Sequence, residues 1–147
     1  MDQREEALHA YLARNAHDLS PDQQQEISNE ILAVLSDSRF APIFGPGSRA
    51  EVPLVGEIAG QIMSAQLDRL LVTEEEILVV DFKTNRPPPT DPNNVADIYL
   101  RQMAAYRLAL TEIYPGREIH CALLWTVGPH LMALHKDQLI SHEPKRE

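Results

Sequence analysis

The sequence has almost no cysteine, no long apolar run and no signal peptide, and each absence excludes a class of protein. Its single cysteine, Cys121, excludes an internal disulfide and any four-cysteine zinc or iron-sulfur site built by this chain. The longest stretch without formal charge, 119–135, contains Gly128 and Pro129 and is too short to span a bilayer. The first six residues lack the basic-then-apolar order of a signal peptide. We therefore expect a soluble, cytoplasmic protein in a reducing compartment, with no membrane partner.

Positive charge is also scarce, because 13 Lys and Arg stand against 22 Asp and Glu and give a formal net charge of −9. Such a chain is not expected to hold the nucleic-acid backbone on its own by counterion release. It can still cut DNA if carboxylates bind divalent cations that face the phosphates, with the main binding surface on another domain or subunit. No Gly-x-x-x-x-Gly-Lys-[Ser/Thr] phosphate loop is present, so ATP-driven unwinding does not reside in this chain.

The 147 residues, 44% hydrophobic and 24% charged, suffice for one globular domain with a sizeable core. Apolar residues at helical spacing predict two amphipathic helices, from Gln3 to about Arg14 and from Ser20 to Ser36. Residues 37–48 contain prolines and glycines that break this period, and they are predicted to form a loop. We expect the N-terminal helical part and loop, 1–47, to precede an α/β core, 48–147.

The core alternates strand-like and helical patterns. Its third predicted strand is a near-continuous apolar run, which indicates a central strand buried on both faces. A long helix is predicted to start at Asp91-Pro92 and to end at Pro115-Gly116. The predicted order, α-α-β-β-β-α-β-β, indicates an α/β fold with a mixed central sheet flanked by helices. The predicted strands are 49–55, 61–72, 77–83, 118–127 and 130–135, and the predicted apolar stripe of the long helix is Val95, Tyr99, Met103, Tyr106, Leu110 and Ile113.

Two charged residues end the predicted central strand. Asp81 and Lys83 are two residues apart, so their side chains point to the same face of the strand. Burying either charge without compensation is costly, and a metal ion or a charged substrate can offset that cost. The alternative is an ordinary ion pair at the edge of the strand, which an isolated Asp-x-Lys pattern favours.

Asp68 shifts this balance towards a functional site. Alternation predicts that Leu67 and Leu71 face inward and that Asp68 lies on the opposite face. If the second and third predicted strands pair through the acidic turn 74–76, Asp68 and Asp81 lie almost opposite each other. Two like charges in that arrangement repel each other unless a cation lies between them.

This residue set is typical of a hydrolytic metal site. Two carboxylates and a backbone carbonyl offer hard oxygen ligands, which suit Mg²⁺ or Mn²⁺ better than zinc. Such a metal polarises a scissile phosphate and lowers the pKa of a bound water. The neighbouring ammonium of Lys83 can orient that water or neutralise charge that grows in the transition state.

Three further polar residues are candidates for the same site. Gln102 and Tyr106 are four residues apart and share one face of the predicted long helix. Gln102 fits a core amide bonded to the backbone, with Tyr106 as packing, as well as it fits a substrate contact. Glu51 in the first strand is either a third acid near the metal or an edge carboxylate, and its position alone favours the edge.

Taken together, these motifs resemble the RecB-like branch of the PD-(D/E)XK nucleases. Within that branch they are most similar to the C-terminal nuclease domains of AddA-type subunits of bacterial AddAB helicase-nucleases, and the similarity covers nearly the whole chain. The resemblance implies a restriction-endonuclease-like α/β fold in which 48–147 is the catalytic core. It is carried by Glu51, Asp68, Asp81-Phe82-Lys83 and Gln102-x-x-x-Tyr106, and by the segments 44–51, 80–89, 99–106 and 122–126.

The resemblance also implies an activity and partners. The implied reaction is Mg²⁺-dependent exonucleolytic hydrolysis of single-stranded DNA, with Mn²⁺ as a substitute, during double-strand-break repair and recombination. The implied partners are DNA, the helicase part of the same polypeptide and an AddB-type subunit. The implied metal ligands are Asp68, Asp81 and the Phe82 carbonyl, the implied catalytic lysine is Lys83, and the implied motif residues are Gln102 and Tyr106, while the role of Glu51 stays open.

The chain also departs from that pattern. Ala65 stands where RecB-like nucleases often carry a glycine, and neither His9 nor His17 has the surroundings of the upstream histidine of the branch, which we expect to lie before Met1. One alternative is therefore a catalytically silent docking or DNA-guiding module. Another is a protein that presents the proline-rich segment 86–92 as an SH3-type ligand. The other histidines, His120, His130, His135 and His142, lack zinc-ligand spacing.

Overall fold

A computed structural model describes residues 3–14, 18–85 and 87–145 of the chain. Among the helices in these ranges, none combines the length and the apolar composition of a membrane-spanning segment. The helices are α1 (Gln3–Leu12), α2 (Pro21–Ser36), α3 (Ala41–Phe44), α4 (Asp97–Ile113) and α5 (Lys136–Ser141), and the strands are β1 (Ser48–Ile58), β2 (Gln61–Val72), β3 (Glu76–Lys83), β4 (Glu118–Trp125) and β5 (His130–Ala133).

The five strands form one mixed sheet in the order β1-β2-β3-β4-β5. β3 pairs antiparallel with β2 and parallel with β4, and the remaining pairs are antiparallel. A parallel pair cannot be joined by a tight turn, and α4 supplies the crossover between β3 and β4. The predicted mixed sheet flanked by helices is confirmed, with the apolar third strand at its centre.

Hydrophobic cores cover both faces of the sheet. The larger core packs α4 against the odd-numbered residues of β3, including Ile77 and Val79. The smaller core packs Val34 of α2 against Val80. Because side chains alternate along a strand, Asp81 and Lys83 point to the face that α4 covers. This placement brings both charges towards polar residues of α4.

The start of α2 agrees with its sequence signals. Ser20 accepts a hydrogen bond from the Gln23 backbone, and the Gln23 side chain accepts one from the Ser20 backbone, which together form a capping box. Pro21 occupies the first turn, where its missing N–H leaves no bond unmade. The predicted second helix therefore begins where its cap residue indicates.

The prediction that the long helix starts at Asp91-Pro92 is wrong. Asp91 instead caps a short 3₁₀ turn, Pro92–Asn94, by accepting the Asn93 N–H at 2.9 Å. The backbone of Val95 is then extended, and α4 begins only at Asp97. Val95 is buried in the larger core, so tertiary packing of this side chain favours the extended backbone over another helical turn. The C-terminal residue of the predicted stripe, Ile113, is exposed.

Two further regions differ from the prediction. The predicted loop 37–48 contains a 3₁₀ turn, Ser38–Phe40, and α3, because Phe40 and Ile43 are buried in the smaller core. The predicted strand 130–135 ends at Ala133 and is followed by α5, which sequence analysis did not predict. Both α3 and α5 are too short to show a helical period in the sequence.

The turn between β1 and β2 leads to a prediction about stability. Ala59 (φ 53°) and Gly60 (φ 81°) both have positive φ, as a two-residue type I′ hairpin turn requires. Alanine is disfavoured in this conformation, whereas asparagine tolerates it. We expect Ala59→Asn to raise the free energy of unfolding, measured by urea titration, by about 1 kcal/mol. Ala50→Asn, at an exposed position of β1, is the control and should give no gain, and an unchanged Ala59→Asn protein would contradict the prediction.

Candidate functional site

The β2–β3 hairpin brings Asp68 and Asp81 to the same place. The strands pair in a register that sets Arg69 opposite Val80, so the next residues along each strand, Asp68 and Asp81, face each other. Asp68 Oδ2 accepts a hydrogen bond from the Phe82 N–H at 2.8 Å. The structure therefore has the hairpin register that the acidic turn predicts.

Asp81 and Lys83 form a buried ion pair at the end of the central strand. Lys83 Nζ lies 2.5 Å from Asp81 Oδ2, and the two side chains are only 12% and 8% exposed. Lys83 Nζ also donates a hydrogen bond to Gln102 Oε1 at 3.2 Å and lies 4.0 Å from the centroid of the Tyr99 ring. The ion pair exists, but it is enclosed between the sheet and α4 and does not match the alternative of an ordinary ion pair at the edge of the strand.

Gln102 links this ion pair to Tyr106. Its Oε1 accepts the bond from Lys83, while its Nε2 donates to the Tyr106 hydroxyl at 3.0 Å. Because both partners of the amide are side chains, the alternative of a core amide bonded to the backbone is wrong. Tyr106 is buried as predicted, but it also takes part in the polar chain that leads to Asp81. A substrate contact of Gln102 stays a prediction.

Asp68, Asp81, Lys83, Gln102 and Tyr106 form one polar cluster. The electrostatics of this cluster favour an additional positive charge. Burial raises the pKa of Asp81, and the charge of Asp68 and its side-chain hydrogen bond raise that pKa further, against the lowering effect of Lys83. Burial also raises the pKa of the Tyr106 hydroxyl, and the negative charges of Asp81 and Asp68 add to this increase. The Lys83 ammonium contacts Asp81, and Asp68 adds a second negative charge beside that carboxylate, so a divalent cation between the carboxylates would relieve their repulsion. The oxygen donors fit Mg²⁺ or Mn²⁺.

Phe82 separates the two charges of the strand and has neighbours on the other face of the sheet. Its ring lies 6.1 Å from that of Phe44, centroid to centroid, on the α2 and α3 side. Its backbone N–H is held by Asp68, which fixes the peptide next to both acids. The carbonyl of Phe82 as a metal ligand stays a prediction.

The structure does not bring the Glu51 carboxylate into this cluster. Glu51 occupies the position opposite Asp68 in the β1–β2 register, but its side chain is exposed. Its backbone is left-handed (φ 51°), and its carbonyl accepts a hydrogen bond from Gln66 Nε2 at 3.4 Å. Glu51 is absent from the described groups that shift the pKa of Asp81. The geometry fits the interpretation of Glu51 as an edge carboxylate.

The alternation of β2 changes phase at Asp68. Up to Leu67, the odd-numbered residues of the strand pack on the larger core, and from Leu70 onward the even-numbered residues do so. The prediction that Leu71 faces inward is therefore wrong, since Leu70 takes that role. The change coincides with the left-handed Glu51 on the neighbouring strand. Because of this change, Leu67 and Asp68 both lie on the face that α4 covers, so the prediction that Asp68 lies on the opposite face from Leu67 is also wrong.

The other predicted residues lie outside the cluster or outside the described ranges. Ala65, in place of the glycine, is half-buried against the larger core. His9 lies in α1, where its Nε2 is 3.8 Å from Glu5. His17 and Arg86 lie outside the described residues. In the proline-rich segment, Pro88 and Pro89 are half-buried, and Thr90 and Asp91 are exposed. Full burial of this segment would have excluded the alternative of an SH3-type ligand, and the segment is not fully buried.

Sequence analysis missed one neighbour of Lys83. Tyr99, which was assigned only to the apolar stripe of the long helix, places its ring beside Lys83 Nζ. Its hydroxyl donates to Asn85 Oδ1 at 3.2 Å. Tyr99 precedes Gln102 by three residues on α4, and this spacing places both on one helix face. That spacing is the signal that could have identified Tyr99.

A second group of side chains of the types that ligate metals lies at the other end of β3. Glu76, Glu118 and His120 each offer a ligand atom, and these atoms lie within 4.8 Å of one another. Across the described ranges this is the only group of three such residues with that spacing. The spacing of histidines in the sequence could not reveal it, because Glu76 meets Glu118 only through the parallel pairing of β3 with β4. All three side chains are exposed.

Comparison with known proteins adds a family and a fold. The family model of the PD-(D/E)XK nuclease superfamily matches residues 1–142. The structure is similar to that of an Eubacterium rectale protein provisionally described as an exonuclease, with a TM-score of 0.58 and 14% identity over 97% of this chain and 63% of that one. A further solved protein, SSO0001, is 14% identical with a TM-score of 0.43, over 95% of this chain and 65% of that one. This chain thus covers less than two thirds of either protein, and no curated protein matches it significantly.

The coupling between the two acids leads to a prediction about titration. In Asp68→Asn, we expect the pKa of Asp81 to fall towards its usual value, because the nearby negative charge is removed. The measurement is a ¹³C NMR titration of the Asp81 carboxyl carbon in buffer that contains a chelator. A raised pKa means that ionisation of Asp81 destabilises the fold as the pH rises through it, so Asp68→Asn should also reduce that loss of stability.

The matched control for this titration is Asp137→Asn at an exposed position of α5. This variant removes the same charge from a residue that is not among the groups that shift the pKa of Asp81, and it should leave the Asp81 titration unchanged. An Asp81 pKa that stays the same or rises in Asp68→Asn would contradict the coupling.

Proposed function

The chain belongs to the PD-(D/E)XK nuclease superfamily, and on that premise we propose that it is a divalent-metal-dependent deoxyribonuclease that hydrolyses phosphodiester bonds. The observation that carries the proposal is the meeting of Asp68, Asp81 and Lys83 at the end of the central strand. Burial of a lysine beside two facing carboxylates costs desolvation free energy, and a function that needs these charges is a reason to retain them. Phosphodiester hydrolysis uses both kinds of charge.

The acids would hold the metal ion. Asp68 and Asp81 face each other across the hairpin, and the Phe82 carbonyl belongs to the peptide that Asp68 fixes. These hard oxygen donors suit Mg²⁺, with Mn²⁺ as a substitute. When bound, the cation would polarise the scissile phosphate and lower the pKa of an attacking water.

Lys83 would act on the phosphate or on the water. Its ammonium contacts Asp81 and donates a hydrogen bond to Gln102, and both contacts limit its movement. A fixed positive charge in a site of low water content stabilises negative charge that develops in the transition state. Gln102 supports this role through its amide, because donation from Nε2 to Tyr106 leaves Oε1 facing the ammonium.

We propose single-stranded DNA as the substrate, cut exonucleolytically in the cytoplasm during double-strand-break repair and recombination. The resemblance of the motifs to AddA-type nuclease domains supports this context, in which a helicase part of the same polypeptide and an AddB-type subunit deliver the DNA. The net charge of −9 also supports it, because most contacts with the DNA backbone would then lie on other parts of the complex.

A catalytically silent docking or DNA-guiding module is the second candidate function. It is favoured by one observation: within the described part of the chain, no histidine joins Asp68 and Asp81 in a group of metal ligands. RecB-like nucleases carry such a histidine upstream of the core. The two candidates differ in metal binding and in cleavage, which the following experiment measures.

We expect Lys83→Ala to lower the rate of DNA cleavage by roughly 100- to 1,000-fold, because it removes a fixed charge from the transition state. The assay follows a labelled oligonucleotide in Mn²⁺ or Mg²⁺, with a chelator as blank, and calorimetry follows Mn²⁺ binding. Lys83→Ala should still bind Mn²⁺, whereas Asp81→Asn should lose both binding and cleavage. Lys136→Ala, at an exposed position, is the control with the same change of charge. Wild-type protein that neither binds Mn²⁺ nor cuts would contradict the nuclease proposal and favour the docking module.

Substrate preference is a separate prediction. A single-stranded oligonucleotide should be degraded at least about ten-fold faster than the same sequence as a duplex, because a paired strand must be melted before it enters a single-strand site. The readout is the initial rate with end-labelled strands at one salt concentration. Equal rates on both substrates would overturn the single-strand proposal and leave the nuclease proposal intact.

A further inference from the structure

The ammonium of Lys83 has three partners, and one of them has no assigned role. Asp81 and Gln102 hold it through polar contacts, and the Tyr99 ring lies 4.0 Å from Nζ on another side. A cation at this distance from the centroid of an aromatic ring is attracted by the negative face of the ring. The attraction is strong where water is scarce, and the Lys83 side chain is only 12% exposed.

The Tyr99 ring is itself held on two sides. Its hydroxyl donates to Asn85 Oδ1 at 3.2 Å, which ties it to the segment that follows β3. The ring packs at a tilt against Trp125, with 6.4 Å between the centroids. Trp125 pairs with Lys83 across the parallel strands. The Tyr99 ring and the Lys83 ammonium are therefore both positioned by the same pair of strands. A ring with so little freedom can fix a flexible lysine stem.

We infer that Tyr99 is a positioning residue for Lys83, an inference that rests on the proposed nuclease function. Asp81 alone cannot fix the ammonium, because its carboxylate is also a proposed ligand of the metal cation. A bound cation would offset the negative charge of Asp81 and so weaken its attraction for Lys83. The attraction of the Tyr99 ring does not depend on that carboxylate. Tyr99 therefore keeps Nζ directed towards the substrate phosphate when the acids are engaged.

The test compares a variant that keeps the ring with one that removes it. Tyr99→Leu should lower kcat by roughly 3- to 30-fold with KM changed less than two-fold, because an unfixed ammonium weakens transition-state stabilisation and not binding. Tyr99→Phe keeps the ring and should restore kcat to within about two-fold of the wild type. The control is Tyr114→Leu, which removes a ring that lies 5.3 Å from the Arg117 guanidinium at the end of α4.

A spectroscopic readout tests the contact without any activity. The sequence has three lysines, Lys83, Lys136 and Lys145, so ¹³C-labelled lysine gives few ε-methylene signals, and Lys136→Arg and Lys145→Arg assign them. The ring current of Tyr99 should shift the Lys83 ε-methylene protons upfield in the wild type and in Tyr99→Phe. In Tyr99→Leu that upfield shift should vanish, and persistence of the shift would overturn the contact.

The outcomes separate this inference from the proposed function. If Lys83→Ala cuts DNA as fast as the wild type, the nuclease assignment of Lys83 fails, whatever Tyr99 does. If Lys83→Ala is inactive and Tyr99→Leu keeps the wild-type kcat, only the positioning role fails. If Tyr99→Phe is as slow as Tyr99→Leu, the hydroxyl and not the ring is responsible, and the inference is wrong. Thermal unfolding of each variant identifies losses of rate that come from unfolding.

Discussion

Everything at the candidate site depends on one buried ion pair, Asp81 with Lys83. The end of an otherwise apolar central strand carries both charges, and α4 covers them with an amide and an aromatic ring. A buried pair contributes little to stability by itself, since desolvation offsets much of the attraction. Its value lies in the geometry that it imposes, because the sheet, the hairpin and the helix must all be in place for the pair to be satisfied.

The sequence could predict that Asp68 and Asp81 face each other, because the short turn allows the hairpin register to be counted from it. It could also predict that Gln102 and Tyr106 are neighbours, because helical spacing is a local property. The Tyr99 ring beside Lys83 could not be predicted with the same ease, since that contact joins α4 to β3 and depends on tertiary packing. The late start of α4 has the same cause, because burial of Val95 outweighs a local helix signal.

The change of phase in β2 marks another limit of reasoning from the sequence. Strict alternation predicts one buried face along the whole strand, but the left-handed backbone of Glu51 on the neighbouring strand accompanies a shift at Asp68. A left-handed backbone is uncommon for residues other than glycine, and nothing in the sequence around Glu51 predicts it. Similarly, Glu76 and Glu118 lie side by side only because β3 and β4 pair in parallel. No residue pattern in either strand predicts that pairing.

The parallel pairing of β3 with β4 also has a kinetic consequence. The β2–β3 hairpin is local and can form early, and it already carries both acids. The groups that hold Lys83 on its other sides come from the crossover helix, whose position depends on the long-range pairing of β4 with β3. A chain in which the hairpin has formed without that pairing therefore has both carboxylates but no fixed ammonium, and the candidate site is complete only when the sheet is complete.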